Sequence, residues 1–269
     1  MSRHTDESTE KDTARHREVR RGIYILPNLM TTGGLFAGFF AIVQSTKGNF
    51  EAAAIAIFVA MLMDGLDGRI ARMTNTSSDF GMEYDSLVDV IAFGLTPALV
   101  IYEWALIDMG KLGWLGAFVY VAATALRLAR FNTQKVFDKR YFLGLPCPSG
   151  AALIAAWVWV MESYGLDQRS MQFMSWMLTV AVATAMVSNL KYRSFKDLDL
   201  KGKVPFVALI IVVFVFVLIA FDPPRVLFVG FFTYFLSGPL TSLLRWRRFR
   251  GKEHGRVPHK PADAADGED

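Results

Sequence analysis

The sequence predicts an all-α membrane protein, a polytopic bundle of about eight transmembrane helices. Three observations support this fold class. Hydrophobic residues occupy 53% of the 269 positions, which is more than a soluble domain usually carries. They gather in blocks of about 18 to 22 residues, the length that crosses a hydrocarbon core as a helix. Lys and Arg residues concentrate in alternate connections between these blocks, as they do in membrane proteins.

Eight apolar segments follow one another along the chain, each long enough for a membrane span. They cover approximately residues 24–45, 51–72, 83–106, 112–131, 147–164, 171–189, 204–221 and 226–244. The last two carry no charge and are rich in Phe and Val, as expected of helices that face lipid. Polar segments at 1–22 and 246–269 flank this region. We therefore expect one membrane-embedded domain, residues 23–245, between two polar cytoplasmic tails.

The distribution of cationic residues predicts the orientation in the membrane. Of the 29 Lys and Arg residues, 25 lie in the tails or near the even-numbered connections. The four odd-numbered connections hold one each: Lys47, Lys111, Arg169 and Arg225. The positive-inside rule then places both termini in the cytoplasm. The same asymmetry accounts for the net charge of +4, so no nucleic-acid partner is expected.

The scarcity of soft ligands excludes several kinds of site. Cys147 is the single cysteine, so neither an internal disulfide nor a multi-cysteine metal site can form. The four histidines all lie in the polar tails, at His4, His16, His254 and His259. A buried histidine base or a zinc site is therefore not expected.

Four aspartates near the ends of two apolar segments form the most informative pattern. Asp64 and Asp67 are three residues apart, and Asp85 and Asp89 are four apart, so each pair shares one helix face. The polar stretch between the segments predicts a short cytoplasmic turn, which brings all four carboxylates to one membrane depth. Like charges this close need a cation, and oxygen-only ligands select Mg²⁺ or Mn²⁺. Four carboxylates are enough to hold two such ions.

A site for divalent cations fits the four aspartates better than three alternatives do: helix capping, calcium binding by an EF-hand, and cation transport. Aspartates at helix ends often cap helices, and these could pair with Arg69 and Arg72. Capping does not account for two pairs of carboxylates that each share a helix face, because burying ionisable groups inside a membrane protein costs free energy. An EF-hand is excluded since no D-x-D-x-D-G run is present. A divalent-cation transporter would carry its acids along a route across the bilayer rather than at one end of two segments.

The residues around these aspartates resemble the CDP-alcohol phosphotransferase family. The signature D-x2-D-G-x2-A-R-x8-G-x3-D-x3-D is matched at every fixed position by Asp64, Asp67, Gly68, Ala71, Arg72, Gly81, Asp85 and Asp89. The resemblance implies a six-helix core, a polar cavity open to the cytoplasm and a homodimer. It makes residues 23–245 the catalytic domain and Asp64, Asp67, Asp85 and Asp89 the metal ligands. It also implies that Asp89 is the general base.

The resemblance implies further residues that bind the CDP-lipid. Gly68 and Gly81 suit a close approach of the backbone to a ligand, with tight helix packing as the alternative. Arg72 would bind the diphosphate, with snorkelling to the interface as its alternative, and Ser78 would bond to the CDP part. Asn28 and Thr31 would line the nucleotide pocket, although an ordinary helix N-terminus accounts for them equally well.

The stretch from Arg21 to Pro148 is similar to bacterial integral-membrane phosphatidylserine synthases, a subgroup of that family. The segments that carry the likeness are RRGIYILPNLMTTGGLFAGFFAI, FGMEYDSLVDVIAFGLTPALV, RLARFNT and GLPCPSGAA. This likeness implies CDP-diacylglycerol and L-serine as substrates and the bacterial cytoplasmic (inner) membrane as location. Glycerol 3-phosphate, inositol phosphate or choline remain alternative acceptors for the same chemistry.

A serine acceptor carries a carboxylate, for which arginine is the best partner. Arg127 and Arg130 share a helix face at the cytoplasmic end of the fourth segment, and Asn132 and Arg140 follow. We expect at least one of Arg127 and Arg130 to bind the serine carboxylate. The positive-inside rule requires arginines there in any case, which is the alternative reason for their presence.

Overall fold

The computed structural model describes residues 26–74, 78–133, 141–193 and 206–253. These residues form eight helices and one small antiparallel sheet, which confirms the all-α class. The helices are α1 (Leu26–Thr46), α2 (Phe50–Thr74), α3 (Asp79–Met109), α4 (Lys111–Thr133), α5 (Cys147–Ser163), α6 (Gln168–Val187), α7 (Phe206–Phe221) and α8 (Pro223–Glu253). The strands are β1 (Tyr141–Leu143) and β2 (Lys191–Arg193).

The helices correspond one to one with the predicted apolar segments, and most boundaries agree within a few residues. The clearest difference is α8, which continues to Glu253, beyond the predicted end at 244. Among the described residues, α1, α3, α4 and α6 are long and apolar enough by themselves to cross a membrane. The structure therefore supports a membrane bundle, while the count of eight spans stays a prediction.

Helix α5 lies at the centre of the bundle and packs against α2 and α8. It is buried from Gly150 to Val160, and small side chains on it allow neighbouring helices to approach closely. A Cβ on Gly150 would collide with the Met186 side chain of α6. None of the predicted site residues lies on this densely packed helix.

Helix α3 changes its geometry along its length. It is α-helical over Asp79–Asp89, π-helical over Val90–Leu95, α-helical over Thr96–Ile101 and π-helical again over Tyr102–Leu106. Pro97 gives a local reason for the first π-helical stretch. Proline has no N–H, and its ring crowds the carbonyl four residues earlier, so an unbroken α-helix cannot pass through this point.

The sheet joins the segments that follow α4 and α6. Its strands are antiparallel, with Phe142 opposite Tyr192. Because both segments leave even-numbered helices, the sheet lies at the end of the bundle that also carries the aspartates. Tyr192 of β2 is buried and donates a hydrogen bond of 3.2 Å to the Phe235 carbonyl of α8.

Candidate active site

A cavity of about 140 Å³, lined by both polar and apolar residues, opens between the N-terminal part of α1, the C-terminal part of α2 and the first turns of α3. The residues that line it are Pro27, Asn28, Thr31, Asp67, Gly68, Ala71, Ser78, Gly81, Met82 and Asp85. Most of them are residues with a predicted CDP-lipid or metal role. The fold therefore gathers into one cavity residues that lie far apart in the sequence, from Pro27 to Asp85.

The carboxylates of Asp64, Asp67 and Asp85 meet across the α2–α3 contact. One oxygen from each lies within 4.8 Å of the others. A second, small cavity of about 10 Å³ is lined by all four aspartates, including Asp89. Three of the four predicted aspartates thus lie close together, and Asp89 lies on the wall of the small cavity outside this group.

Helix α1 reaches this acidic cluster through a threonine. Thr31 is 5% exposed, and its hydroxyl donates to Asp67 Oδ2 at 2.9 Å. Its Oγ1 also lies 3.1 Å from the Pro27 carbonyl, one turn earlier on the same helix. A buried hydroxyl that faces a carboxylate orients that carboxylate for another ligand.

The glycines of the signature have different surroundings. A Cβ added to Gly68 would meet nothing within 4 Å, so its missing side chain leaves space in the cavity rather than room for a helix. A Cβ on Gly81 would lie 3.1 Å from Ser78 Oγ and 3.2 Å from Asn28 Oδ1. Gly81 therefore permits close packing of α3 against the Asn28 side chain, the alternative to contact with a ligand.

Ser78 and Arg72 border the cavity in different ways. Ser78 caps α3, since its Oγ accepts a hydrogen bond of 3.0 Å from the Gly81 N–H. This local bond gives the residue a role without a ligand, although Ser78 also lines the cavity. Arg72 is exposed in the last turn of α2 and lines neither of the two cavities described above.

The candidate serine-binding residues point to different partners. Arg127 donates from Nη1 to the Cys147 thiol at 3.2 Å, and its buried Nε has no hydrogen-bond partner among the described residues. Arg127 is therefore the candidate with a buried donor left for a ligand.

Of the other three candidates, two form hydrogen bonds to other side chains and one lies outside the described residues. Arg130 donates to the Asn189 side chain at 2.8 Å, and Asn132 donates to Ser86 Oγ at 3.0 Å. Arg140 lies outside the described residues. Sequence reasoning misses two buried neighbours of the site, Cys147 and Tyr120. They come from distant segments, and no short motif links them to the aspartates.

Comparison with known proteins places this geometry in context. Residues 24–187 match the family model described as CDP-alcohol phosphatidyltransferase. A Helicobacter pylori protein named CDP-diacylglycerol–serine O-phosphatidyltransferase is 34% identical over 225 residues, 83% of this chain and 92% of that protein. Proteins of the same name from Mycobacterium tuberculosis and Methanocaldococcus jannaschii are also similar. The Mycobacterium tuberculosis protein is 40% identical over 140 residues, which are 49% of this chain and 49% of that protein. The Methanocaldococcus jannaschii protein is 30% identical over 177 residues, which are 66% of this chain and 78% of that protein.

Proposed function

The chain belongs to the CDP-alcohol phosphatidyltransferase family, and on this basis we propose that it is a membrane transferase that forms phosphatidylserine. It transfers the phosphatidyl group of CDP-diacylglycerol to the hydroxyl of L-serine and releases CMP. The group of three carboxylates within 4.8 Å, beside the larger cavity, carries the proposal for the chemistry. The relatives named for serine support the choice of acceptor.

The donors in the acidic cluster suit hard divalent cations. Asp64, Asp67 and Asp85 offer only oxygen, and three carboxylates this close repel one another unless a cation lies among them. We assign these three to Mg²⁺ or Mn²⁺, and include Asp89 as a fourth ligand of a two-ion site because it lines the same small cavity. When bound there, the ions would neutralise the negative charge that develops on the diphosphate and on the attacking oxygen.

Asp89 acts as the general base in this proposal. A serine hydroxyl is a poor nucleophile, so a carboxylate must accept its proton as it attacks. The serine oxygen forms a bond to the phosphorus that carries diacylglycerol, the bond from that phosphorus to the CMP oxygen breaks, and CMP departs with the electron pair. The proton passes from serine to Asp89. This direct displacement needs no covalent enzyme intermediate.

The remaining candidate residues divide between the two substrates. Asn28, Thr31, Gly68, Ser78 and Gly81 line the larger cavity, which supports their assignment to the CDP part of the lipid. Arg72 is assigned to the diphosphate, at the exposed end of α2. Arg127 is assigned to the serine carboxylate, because its buried Nε lacks a partner among the described residues. Arg130, Asn132 and Arg140 complete the proposed acceptor side.

The proposal includes the location of the enzyme and its assembly. We place the protein in the bacterial inner membrane, with both termini and the cavity on the cytoplasmic side, because the cationic residues concentrate at that end. We also propose a homodimer, as the family resemblance implies. Cross-linking of the detergent-purified protein tests the dimer, and accessibility of cysteines introduced into the tails tests the orientation.

One assay tests the function. Purified protein is incubated with CDP-diacylglycerol, Mg²⁺ or Mn²⁺ and one alcohol at a time: L-serine, glycerol 3-phosphate, inositol phosphate or choline. Release of CMP with formation of phosphatidylserine is expected with L-serine alone. Product with another alcohol instead would reassign the acceptor, and no CMP release with any of them would refute the transferase.

A further inference from the structure

Tyr120 of α4 forms a buried hydrogen bond to the backbone of α3. Its side chain is 0% exposed, and its hydroxyl donates to the Phe93 carbonyl oxygen at 3.2 Å. Phe93 lies in the π-helical stretch Val90–Leu95. The helices approach closely here, since a Cβ on Gly94 would lie 3.1 Å from Thr124 of α4.

The Phe93 carbonyl lacks the donor that an α-helix would supply. In an α-helix this carbonyl would accept from the residue four positions later, which is Pro97 and has no N–H. Inside a membrane protein, carbonyls freed by proline are satisfied by neighbouring helices and by local π-helical geometry. The Tyr120 hydroxyl provides such a donor at the turn where α3 leaves α-helical geometry.

The π-helical stretch Val90–Leu95 begins directly after Asp89 of the acidic cluster. Asp89 is the residue before the π-helical stretch, and Phe93 follows it by four positions. Both line the small cavity together with Asp64, Asp67 and Asp85. The extra residue of a π turn rotates the helix by about 100° relative to an uninterrupted α-helix. The geometry of this turn therefore sets the direction of Asp89 relative to the buried face of α3.

We propose that Tyr120 is a positioning residue for the transfer reaction, because its hydrogen bond to the Phe93 carbonyl fixes the π turn that aims Asp89 into the cavity. This inference rests on the proposed base role of Asp89. It adds a residue of α4, distant from the signature, that acts on the chemical step without contact to substrate.

Tyr120→Phe removes the hydroxyl and retains the buried ring. We expect kcat to fall roughly tenfold, since a small displacement of a catalytic group costs this much or more. The KM values for CDP-diacylglycerol and serine, and the calorimetric affinity for CDP-diacylglycerol, should stay within about twofold of wild type, because no substrate contact is lost. Loss of binding in proportion to kcat, or an unchanged kcat, would overturn the proposal.

Tyr192→Phe is the matched control. Tyr192 is also 0% exposed and also donates to a backbone carbonyl at 3.2 Å, but its partner is Phe235 of α8. This variant should keep wild-type kcat while losing a bond of the same kind. An equal loss of kcat in both variants would indicate a purely structural role for Tyr120 and would refute the positioning role.

Pro97→Ala supplies the α-helical N–H that the Phe93 carbonyl lacks. It therefore tests whether the Tyr120 hydrogen bond matters because of this missing donor. In the Pro97→Ala background, Tyr120→Phe should lower kcat by less than about twofold, whereas in wild type it lowers kcat roughly tenfold. A tenfold loss in both backgrounds would refute the proposal.

The proposed function and this inference fail in distinguishable ways. The wild-type enzyme with L-serine tests the function by itself. If a different alcohol proves to be the acceptor, the same ratios of kcat between variants are measured with that alcohol. The contrast between Tyr120 and Tyr192 is then unaffected by the identity of the acceptor.

Discussion

The hydroxyl of Thr31 on α1 donates a hydrogen bond of 2.9 Å to Asp67 Oδ2 on α2. This bond ties the first helix to the acidic cluster, although the two residues are 36 positions apart. Because Asp67 belongs to the group of three carboxylates, the orientation of one metal-ligand candidate depends on a helix that supplies no carboxylate to the cluster.

Thr31→Val should weaken metal binding. Valine keeps the shape of the side chain and removes the donor to Asp67. Loss of such an outer-shell partner typically costs 10–100-fold in metal affinity, so we expect the Mn²⁺ concentration for half-maximal activity to rise about tenfold. Thr179→Val is the control, since Thr179 is also buried and donates to the Ser175 carbonyl one turn earlier on α6, away from the cluster. Equal metal dependence in the two variants would contradict a role for Thr31 at the cluster.

Asp89→Asn should nearly abolish turnover and leave CDP-diacylglycerol binding measurable. The amide cannot accept the serine proton, and loss of a general base typically costs 10²–10⁴-fold in rate. Asp79→Asn provides the matched change at an exposed position in the first turn of the same helix, and it should keep wild-type kcat. Turnover of the Asp89 variant within tenfold of wild type would exclude the base role.

Arg127→Gln should raise the KM for serine more than the KM for CDP-diacylglycerol. Loss of one charge-assisted hydrogen bond predicts a rise of about tenfold for serine. Arg130→Gln should have a smaller effect, because Arg130 already donates to Asn189. Arg169→Gln, an exposed arginine paired with Asp108, is the control and should change neither KM. Equal changes in both KM values for Arg127→Gln would refute its assignment to the serine carboxylate.

Gly68→Ala should impair binding of the CDP-lipid without destabilising the fold. The added methyl group meets nothing within 4 Å and lies on the wall of the larger cavity, so it competes only with a ligand. Gly65→Ala is a close control, because Gly65 lies in the same helix, also has open space, and is not among the residues that line the cavity. Both changes should raise the unfolding temperature slightly, since alanine favours a helix by roughly 0.5–1 kcal/mol over glycine. Only Gly68→Ala should raise the KM for CDP-diacylglycerol.

The sequence was sufficient for the parts of the site that depend on helical periodicity. Spacings of three and four place Asp64 with Asp67 and Asp85 with Asp89 on common faces, and a short polar connection forces their helices together. The eight apolar segments could be located for the same reason, because a membrane helix must be long and apolar. Thr31 could be associated with the site only through the family resemblance.

Several features depend on contacts that no local pattern encodes. The strands Tyr141–Leu143 and Lys191–Arg193 are only three residues long, and each is a strand because the other lies beside it. The proximity of Cys147 to Arg127 depends on how α5 packs against α4. The irregular geometry of α3 was not predicted, and the residue that donates to the Phe93 carbonyl there, Tyr120, is visible only in the folded chain.

The π-helical stretch of α3 has a consequence for protein design. The fixed residues of the signature would not form a working site if they were copied onto a regular pair of straight helices. Without the wide turn after Asp89, the acidic end and the face that packs into the bundle would be out of phase by roughly a quarter of a turn. A designed version must therefore copy the proline four positions beyond Phe93, and a donor from a neighbouring helix, along with the acids.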